Sequence, residues 1–349
     1  MSQSLILEQP TLQDLLAVYR FLFDNEPDGT LDLAQVLSDG VTWDGVRKAI
    51  YASGQFQEFL SRRQIGSKSL DGPARRVDIY VDATKLKKMF ARIEAAFTEL
   101  GKTEPYWAVS TNDNFRKENI STHRTEFFER GKNDINTLLQ FATRANMDLR
   151  SFGKCFELGC GVGRVTFHLA QIFNKVIGWD IAKPMIAEAK MNASEFGYDS
   201  VDLHAVEEFS EFEDLKPFDF FFSRIVLQHN PPPVSFYILS KVLEKLRAGG
   251  VALFQIPTYG FGYSFDADRY LLSPPKNSFE MHCVPQRAIL DLLEQRGCKI
   301  LEIREDGATG PGSPWVSNTF FVQKRSEEIA GAGSVTLRSI VAERANPDE

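Results

Sequence analysis

The stretch Glu157-Leu158-Gly159-Cys160-Gly161-Val162-Gly163-Arg164 carries the strongest chemical signal in the sequence. Its glycines let a backbone turn sharply and approach a ligand closely. It falls between a strand-like apolar run, Cys155–Leu158, and an amphipathic helical run, Val165–Phe173, whose first turn would present free N–H groups. A loop of that kind suits a nucleotide-like ligand. The spacing selects among such ligands. A dinucleotide loop asks for G-x-G-x-x-G, whereas here Arg164 stands at the last of those positions and the glycines run G-x-G-x-G, which disfavours NAD. Farther along, His229 closes the run that begins at Phe218. An imidazole, with an ordinary pKa of about 6.5, suits proton abstraction near neutrality. The same histidine precedes Asn230-Pro231-Pro232-Pro233, so fixing that loop is its alternative role.

The glycine stretch resembles motif I, E/D-x-G-x-G-x-G, of the class I S-adenosylmethionine-dependent methyltransferases. That resemblance implies that Glu157, Gly159, Cys160, Gly161, Gly163 and Arg164 cradle the amino acid and ribose parts of S-adenosylmethionine. It also implies that Asp180, which ends the run Val176–Asp180 and is followed by Ile181, accepts both ribose hydroxyls, as a carboxylate can. Glu207, in Val206-Glu207-Glu208, takes the place where the family often sets a polar group against the adenine amine. The run Phe218–His229 is similar to the family's F-D-hydrophobic strand that ends beside the methyl group, which adds Ser223 and Gln228 to the cofactor set and makes His229 the catalytic candidate. Ala248-Gly249-Gly250 looks like the family's turn before strand five, with Ala248 in place of the common proline.

Methyl transfer asks a protein mainly to align donor and acceptor and to exclude water, because the sulfonium is already an activated electrophile. A base is needed only where the acceptor must lose a proton. Trp107, with Tyr106 beside it, and Tyr259, Tyr263, Arg269, Tyr270, His282 and Trp315 are the residues expected around the acceptor. Loops after sheet strands are where α/β folds place ligands, and aromatic rings stack on apolar or sugar faces. The front segment, with Tyr19-Arg20-Phe21-Leu22, Glu26-Pro27-Asp28-Gly29 and Ser53-Gly54-Gln55-Phe56, resembles a short helical module seen beside bacterial polysaccharide enzymes. These features imply transfer to a small-molecule or saccharide (glycan) acceptor, at oxygen. An NAD-dependent oxidoreductase and a non-catalytic cofactor-binding scaffold stay open as alternatives.

The elements that must position these groups follow from periodicity. Residues 11–62 read as short helices, opening with Thr11 and Asp14 in capping-box spacing. Residues 63–76 have linker composition. Leu86, Met89, Phe90, Ile93 and Phe97 mark one face of a helix over Ala83–Leu100, another helix is expected near Ile135–Ala145, and both belong to a lid. From Lys154 onward apolar strands alternate with helices until two final strands meet with no helix between them. The expected fold is α/β and Rossmann-like: a seven-stranded, mostly parallel sheet with an antiparallel C-terminal hairpin, helices on both faces, and a small all-α N-terminal domain. The expected domains are 1–65 (helical), 66–150 (linker and lid), 151–325 (methyltransferase) and 326–349 (tail).

Bulk properties limit the partners. A net charge of −7 does not suit a chain built to neutralise a phosphate backbone, so no nucleic acid is expected. No apolar run reaches the length of about 20 residues that spans a bilayer, and Met1–Pro10 lacks the basic start of a signal peptide, so a cytoplasmic protein is expected. Cys155, Cys160, Cys283 and Cys298 lack zinc spacing and read as free thiols. The loop Asp24–Gln35 resembles a calcium loop but has Gln35 in place of the closing glutamate, so no metal is predicted.

Overall fold

In the computed structural model the described residues are 76–198, 200–275, 279–310 and 315–326, with isolated positions before residue 49. The expectations for the helical domain at 1–65, the linker at 63–75 and the tail beyond 326 lie outside them. Thr11 and Asp14 are described, and they exchange the hydrogen bonds of a capping box: each backbone N–H donates to the other's side chain, at 2.9 and 3.2 Å. The chain divides into two compact units, Met1–Gly72 with Gly310–Pro314 and Pro73–Thr309 with Trp315–Glu349. All elements below belong to the second.

Helix α1, Ala83–Thr103, starts where the Asp82 carboxylate accepts from the Lys85 N–H at 2.9 Å, and it buries Leu86, Met89, Phe90 and Ile93 along one stripe. Short α2, Pro105–Val109, then α3, Ile120–Glu129, and α4, Gly131–Arg144, lead into the sheet. The sheet contains β1 (Lys154–Leu158), β2 (Lys175–Asp180), β3 (Val201–Ala205), β4 (Phe218–Ser223), β5 (Leu246–Gly260), β6 (Cys298–Asp306) and β7 (Trp315–Lys324). Between them lie α5 (Thr166–Leu169), α6 (Lys183–Phe196), α7 (Pro232–Lys245), α8 (Ala267–Leu272) and α9 (Gln286–Gln295).

The strand order is β3-β2-β1-β4-β5-β7-β6. The first five pair in parallel, while β7 runs antiparallel between β5 and β6. This is the seven-stranded sheet that the sequence predicts, with its C-terminal antiparallel pair. Successive side chains on a strand face opposite ways. Accordingly Phe221, Ala252, Phe254 and Phe320 pack toward α1, α7 and α9, while Phe220, Phe222, Leu253 and Phe321 pack toward α4 and α5. Each such phenylalanine contributes roughly 1.5–3 kcal/mol on burial. Because β1, β2, β4 and β5 are parallel, their carboxyl ends share one edge, and every loop that follows them opens there. Among the described residues no helix is long and apolar enough to cross a membrane.

Candidate functional site

At the shared edge the glycine loop leaves β1 with positive φ at Gly159 (75°) and Gly161 (54°), the left-handed region that side chains disfavour. A Cβ on Gly159 would collide with Val226, and one on Gly161 would lie 2.5 Å from Val109 of α2. The loop is thus gripped from the β4 end and covered by α2. Gly159 donates its N–H to the Trp179 carbonyl at 2.7 Å, and Cys160, itself buried, donates to the same oxygen at 3.2 Å. Asp180 completes the clamp: one carboxylate oxygen accepts from Gly161 N–H and the other from Ala182 N–H, each at 2.9 Å. Burial pushes the Asp180 pKa up, and those backbone donors with Ile181 pull against it. Each oxygen keeps acceptor capacity for a ligand.

Glu157 sits beneath this loop on the α4 side. It is buried, and its Oε2 has no hydrogen-bond partner among the described residues; nor have Thr166 Oγ1, Arg164 Nε and Arg224 Nε. Burial lifts its pKa to about 7, with Thr166 and Arg164 opposing and the Asp134 and Asp180 charges reinforcing the rise. Asp134, in the first turn of α4, receives Arg164 at 2.7 Å on one oxygen and Arg224 on the other. These two ion pairs tie the end of the glycine loop and the end of β4 to the same helix.

The corner after β4 is strained. Ile225 has φ 58°, an outlier for a β-branched residue. The turn sends Arg224 to Asp134 and Val226 over Gly159, while the Ile225 N–H donates to Gln255 Oε1 at 2.9 Å. Gln255 Nε2 in turn donates to Gln228 Oε1 (2.9 Å) and Ser317 Oγ (2.6 Å), a buried amide network across β5 and β7. Ser223, the last residue of β4, donates its hydroxyl to the Leu158 carbonyl at 3.2 Å.

His229 stands on the far side of that network. Its ring neighbours Phe97 of α1 (6.2 Å between centroids) and Phe279 (5.3 Å), and Phe279 also meets Trp107 at 5.8 Å. His229 Nδ1 lies 2.9 Å from the Glu280 carbonyl, which can only accept, so Nδ1 carries the proton. Nε2 accepts from the Gln228 amide N–H at 3.2 Å, so its lone pair is engaged in the same network. Burial lowers the His229 pKa, against that hydrogen bond, so the ring is neutral at pH 7.

The Glu280 carboxylate holds a second cluster. It receives Arg92 of α1 at 3.2 Å and His282 Nε2 at 3.0 Å, while Tyr263 OH lies 2.9 Å from His282 Nδ1. Arg92 stacks over the Tyr270 ring at 4.1 Å and donates to the carbonyls of Tyr270, Ser273 and Pro274. Burial alone would raise the Glu280 pKa; hydrogen bonds from His282 and Tyr270 and the nearby positive charge bring it down to about 2.

The structure therefore gathers Glu157, Gly159, Cys160, Gly161, Gly163, Arg164, Asp180, Ser223 and Gln228 at one edge, and His229, Tyr263 and His282 beside it. Trp315 packs on Tyr263 at 5.1 Å and Trp107 lies under Arg116 at 4.5 Å. Tyr259 is partly exposed, and Ile181 packs against the core on the α1 side. Three more expected residues sit on neighbouring elements. Glu207 is exposed and pairs with Lys183 at 2.9 Å, Arg269 is exposed on α8, and the Tyr106 hydroxyl turns to Glu188 of α6 at 2.6 Å. Sequence reasoning missed Asp134, Arg224, Gln255, Phe279, Arg92 and Glu280. Arg224 adjoins a residue that was singled out, and Phe97 already marked the α1 stripe.

Residues 156–250 match the family model for a methyltransferase domain. Among solved structures, the chain is similar to magnesium protoporphyrin IX methyltransferase from Synechocystis PCC 6803 with bound SAH. That likeness has 17% identity and a TM-score of 0.47, covering 68% of this chain and 100% of that one. It is also similar to the N-methyltransferase NodS from Bradyrhizobium japonicum WM9 in complex with S-adenosyl-L-homocysteine, at 15% identity and TM-score 0.45, covering 67% and 98%. A tRNA/tmRNA (uracil-C(5))-methyltransferase from Mannheimia succiniciproducens is 41% identical over 63 residues, which is 18% of this chain and 17% of that relative. The chain thus spans about a sixth of the length of that curated relative.

Proposed function

We propose that this S-adenosylmethionine-dependent methyltransferase transfers the methyl group to a hydroxyl oxygen of a small or saccharide acceptor, with His229 taking the proton. The observation that carries this reading is the arrangement of His229. It is a neutral imidazole with its proton fixed on Nδ1, walled by Phe97 and Phe279, one network away from the glycine loop. The cofactor residues fit the donor chemically. Glu157 Oε2 is buried without a partner beneath the loop, where an N–H-bearing cation would complete it, and Asp180 keeps lone pairs for paired hydroxyls. S-adenosylmethionine supplies, when bound, a methyl group already activated on a sulfonium.

The chain's own work is alignment, exclusion of water and proton removal. The loop, held by Asp180 and covered by Val109, fixes one side, and the Phe97, Trp107, Phe279 wall fixes the other. His229 Nε2 exchanges the Gln228 N–H for the acceptor's hydroxyl and takes its proton, while Nδ1–H stays on the Glu280 carbonyl. A small acceptor is supported by the net charge of −7, which would repel a nucleic-acid backbone. The saccharide alternative rests on the resemblance of the front segment alone.

Titration calorimetry with S-adenosylmethionine and its demethylated product, followed by a labelled-methyl screen of phenols, sugars and glycans, tests the reading. We expect donor binding that Asp180→Ala abolishes, and oxygen methylation that His229→Gln slows by about 10²–10⁴-fold without loss of donor affinity. Full turnover by His229→Gln would remove the base; a product methylated at nitrogen or carbon would remove the acceptor class.

A further inference from the structure

Glu280 meets two histidines through two different groups. Its backbone carbonyl receives His229 Nδ1 at 2.9 Å, and its carboxylate receives His282 Nε2 at 3.0 Å. A carbonyl and an ionised carboxylate both only accept, so each contact fixes a proton. His229 is thereby protonated on Nδ1, and its Nε2 lone pair accepts from the Gln228 amide. His282 carries a proton on Nε2, and its Nδ1 meets the Tyr263 hydroxyl at 2.9 Å.

We propose that Glu280 is a positioning residue for proton removal, fixing a proton on Nδ1 of His229 through its carbonyl and on Nε2 of His282 through its carboxylate. This rests on the methyl-transfer reading above. The carboxylate does not touch the reacting atoms. It anchors its own peptide through Arg92 and His282, and the anchored carbonyl keeps the His229 lone pair on Nε2. The His282 main chain closes the frame by donating its N–H to the Gln228 carbonyl at 2.8 Å. In the proton step the acceptor's O–H bond breaks, its proton joins His229 Nε2, and its electron pair stays on oxygen. The imidazolium that results keeps Nδ1–H on the Glu280 carbonyl and passes its extra proton to solvent. The charged and titratable groups that face this cluster are Arg92 from α1, Tyr263 and Tyr270 after β5, Cys283 beside His282, and the two histidines themselves.

The chain has five histidines, so their ring nitrogens are assignable by nitrogen-15 NMR. In the wild-type protein without donor, we expect Nδ1–H on His229 and Nε2–H on His282. The reverse assignment for either ring overturns the proposal, whether or not any acceptor is ever methylated. In Glu280→Gln His282 should lose its fixed Nε2–H and the His229 Nδ1–H signal should shift as its carbonyl partner moves, and the low-pH limb of the rate profile should move by at least half a pH unit with donor affinity within twofold. Glu280→Asp should recover the wild-type tautomers in part. Tyr263→Phe, which removes only a hydroxyl, should alter His282 Nδ1 and leave His229 unchanged, and it serves as the readout if Glu280→Gln does not fold. Unchanged tautomers and an unchanged profile in Glu280→Gln would reduce Glu280 to a structural ion pair and end the idea. Failure to find any acceptor would instead count against the function proposed above and leave the NMR outcome standing.

Discussion

A buried carboxylate, Glu157, and a half-buried one, Glu280, behave in opposite ways. Glu157 lies under the glycine loop with one oxygen unpartnered, and burial drives its pKa up to about 7. Glu280 lies on the acceptor side, pays a burial penalty too, and still falls to about 2 because His282, Tyr270 and Arg92 meet it. The difference shows that burial sets the penalty while fixed partners decide the outcome. It also separates two kinds of construction. Beneath the glycine loop Glu157 Oε2 makes no hydrogen bond to the described residues, whereas the Glu280 carboxylate is met by Arg92 and His282.

The hardest test of that contrast removes the cation that meets Glu280. Arg92 and Glu280 have side chains only 12% and 14% exposed, so their pairing is poorly screened. Arg92→Met leaves the half-buried Glu280 charge without its cation, and three carbonyls lose their donor. We expect a loss of about 3–5 kcal/mol in chemical denaturation at pH 7. A loss below about 1 kcal/mol, the range of surface pairs, would erase the distinction between the two regions.

A pH series sharpens it next. The folded-state pKa of Glu157 lies above its ordinary value of 4.5, so the native protein binds the extra proton between pH 4.5 and about 7. Its contribution is therefore most favourable at low pH and is lost as pH rises through 7. Glu280 has the opposite sign: its contribution is present above pH 4.5 and is lost as pH falls toward 2. At about 1.36 kcal/mol per pKa unit each effect is on the order of 3 kcal/mol. Glu157→Gln should flatten the decline in stability from pH 5 to pH 8 and leave the acid limb below pH 4 unchanged. A decline as steep in the variant as in the parent would assign the slope to other groups.

The two sides also differ in how far the sequence discloses them. The donor side is built from neighbours in the chain: Glu157 to Arg164 is one loop, and Asp180 ends the very next strand. The resemblance of that loop to a known motif made it legible, as the alternation of strands and helices made legible the mostly parallel sheet and its final antiparallel pair. Glu207 shows where periodicity stops, because a polar residue just after a strand has no periodic constraint on where it points, and here it pairs with Lys183. The acceptor side is assembled across the chain. Arg92 and Glu280 are 188 residues apart, Arg92 follows a helical stripe without belonging to it, and Glu280 lies in a loop with no pattern at all. Gln255 sits among apolar neighbours in β5, where only the packed sheet reveals that its amide links β4 to β7.

The smallest effect lies at the corner between the two regions, and it asks whether they are mechanically separate. Ile225 holds φ 58° although a β-branched side chain disfavours it, at a cost of order 1–3 kcal/mol. Its side chain is 41% exposed, so truncation forfeits little packing. Glycine relieves the strain but loses about 0.5–1 kcal/mol through the greater freedom of the unfolded chain. Ile225→Gly should therefore raise stability by about 1 kcal/mol, read as a small rise in Tm. The N–H that donates to Gln255 is kept, so the amide network survives the change. If the corner only joins two independent halves, the Glu157 slope and the His229 tautomer will both match the parent. If Ile225 instead transmits strain across the edge, turnover will fall while stability climbs, because Val226 will no longer be pressed over Gly159 and the loop will relax before any donor arrives.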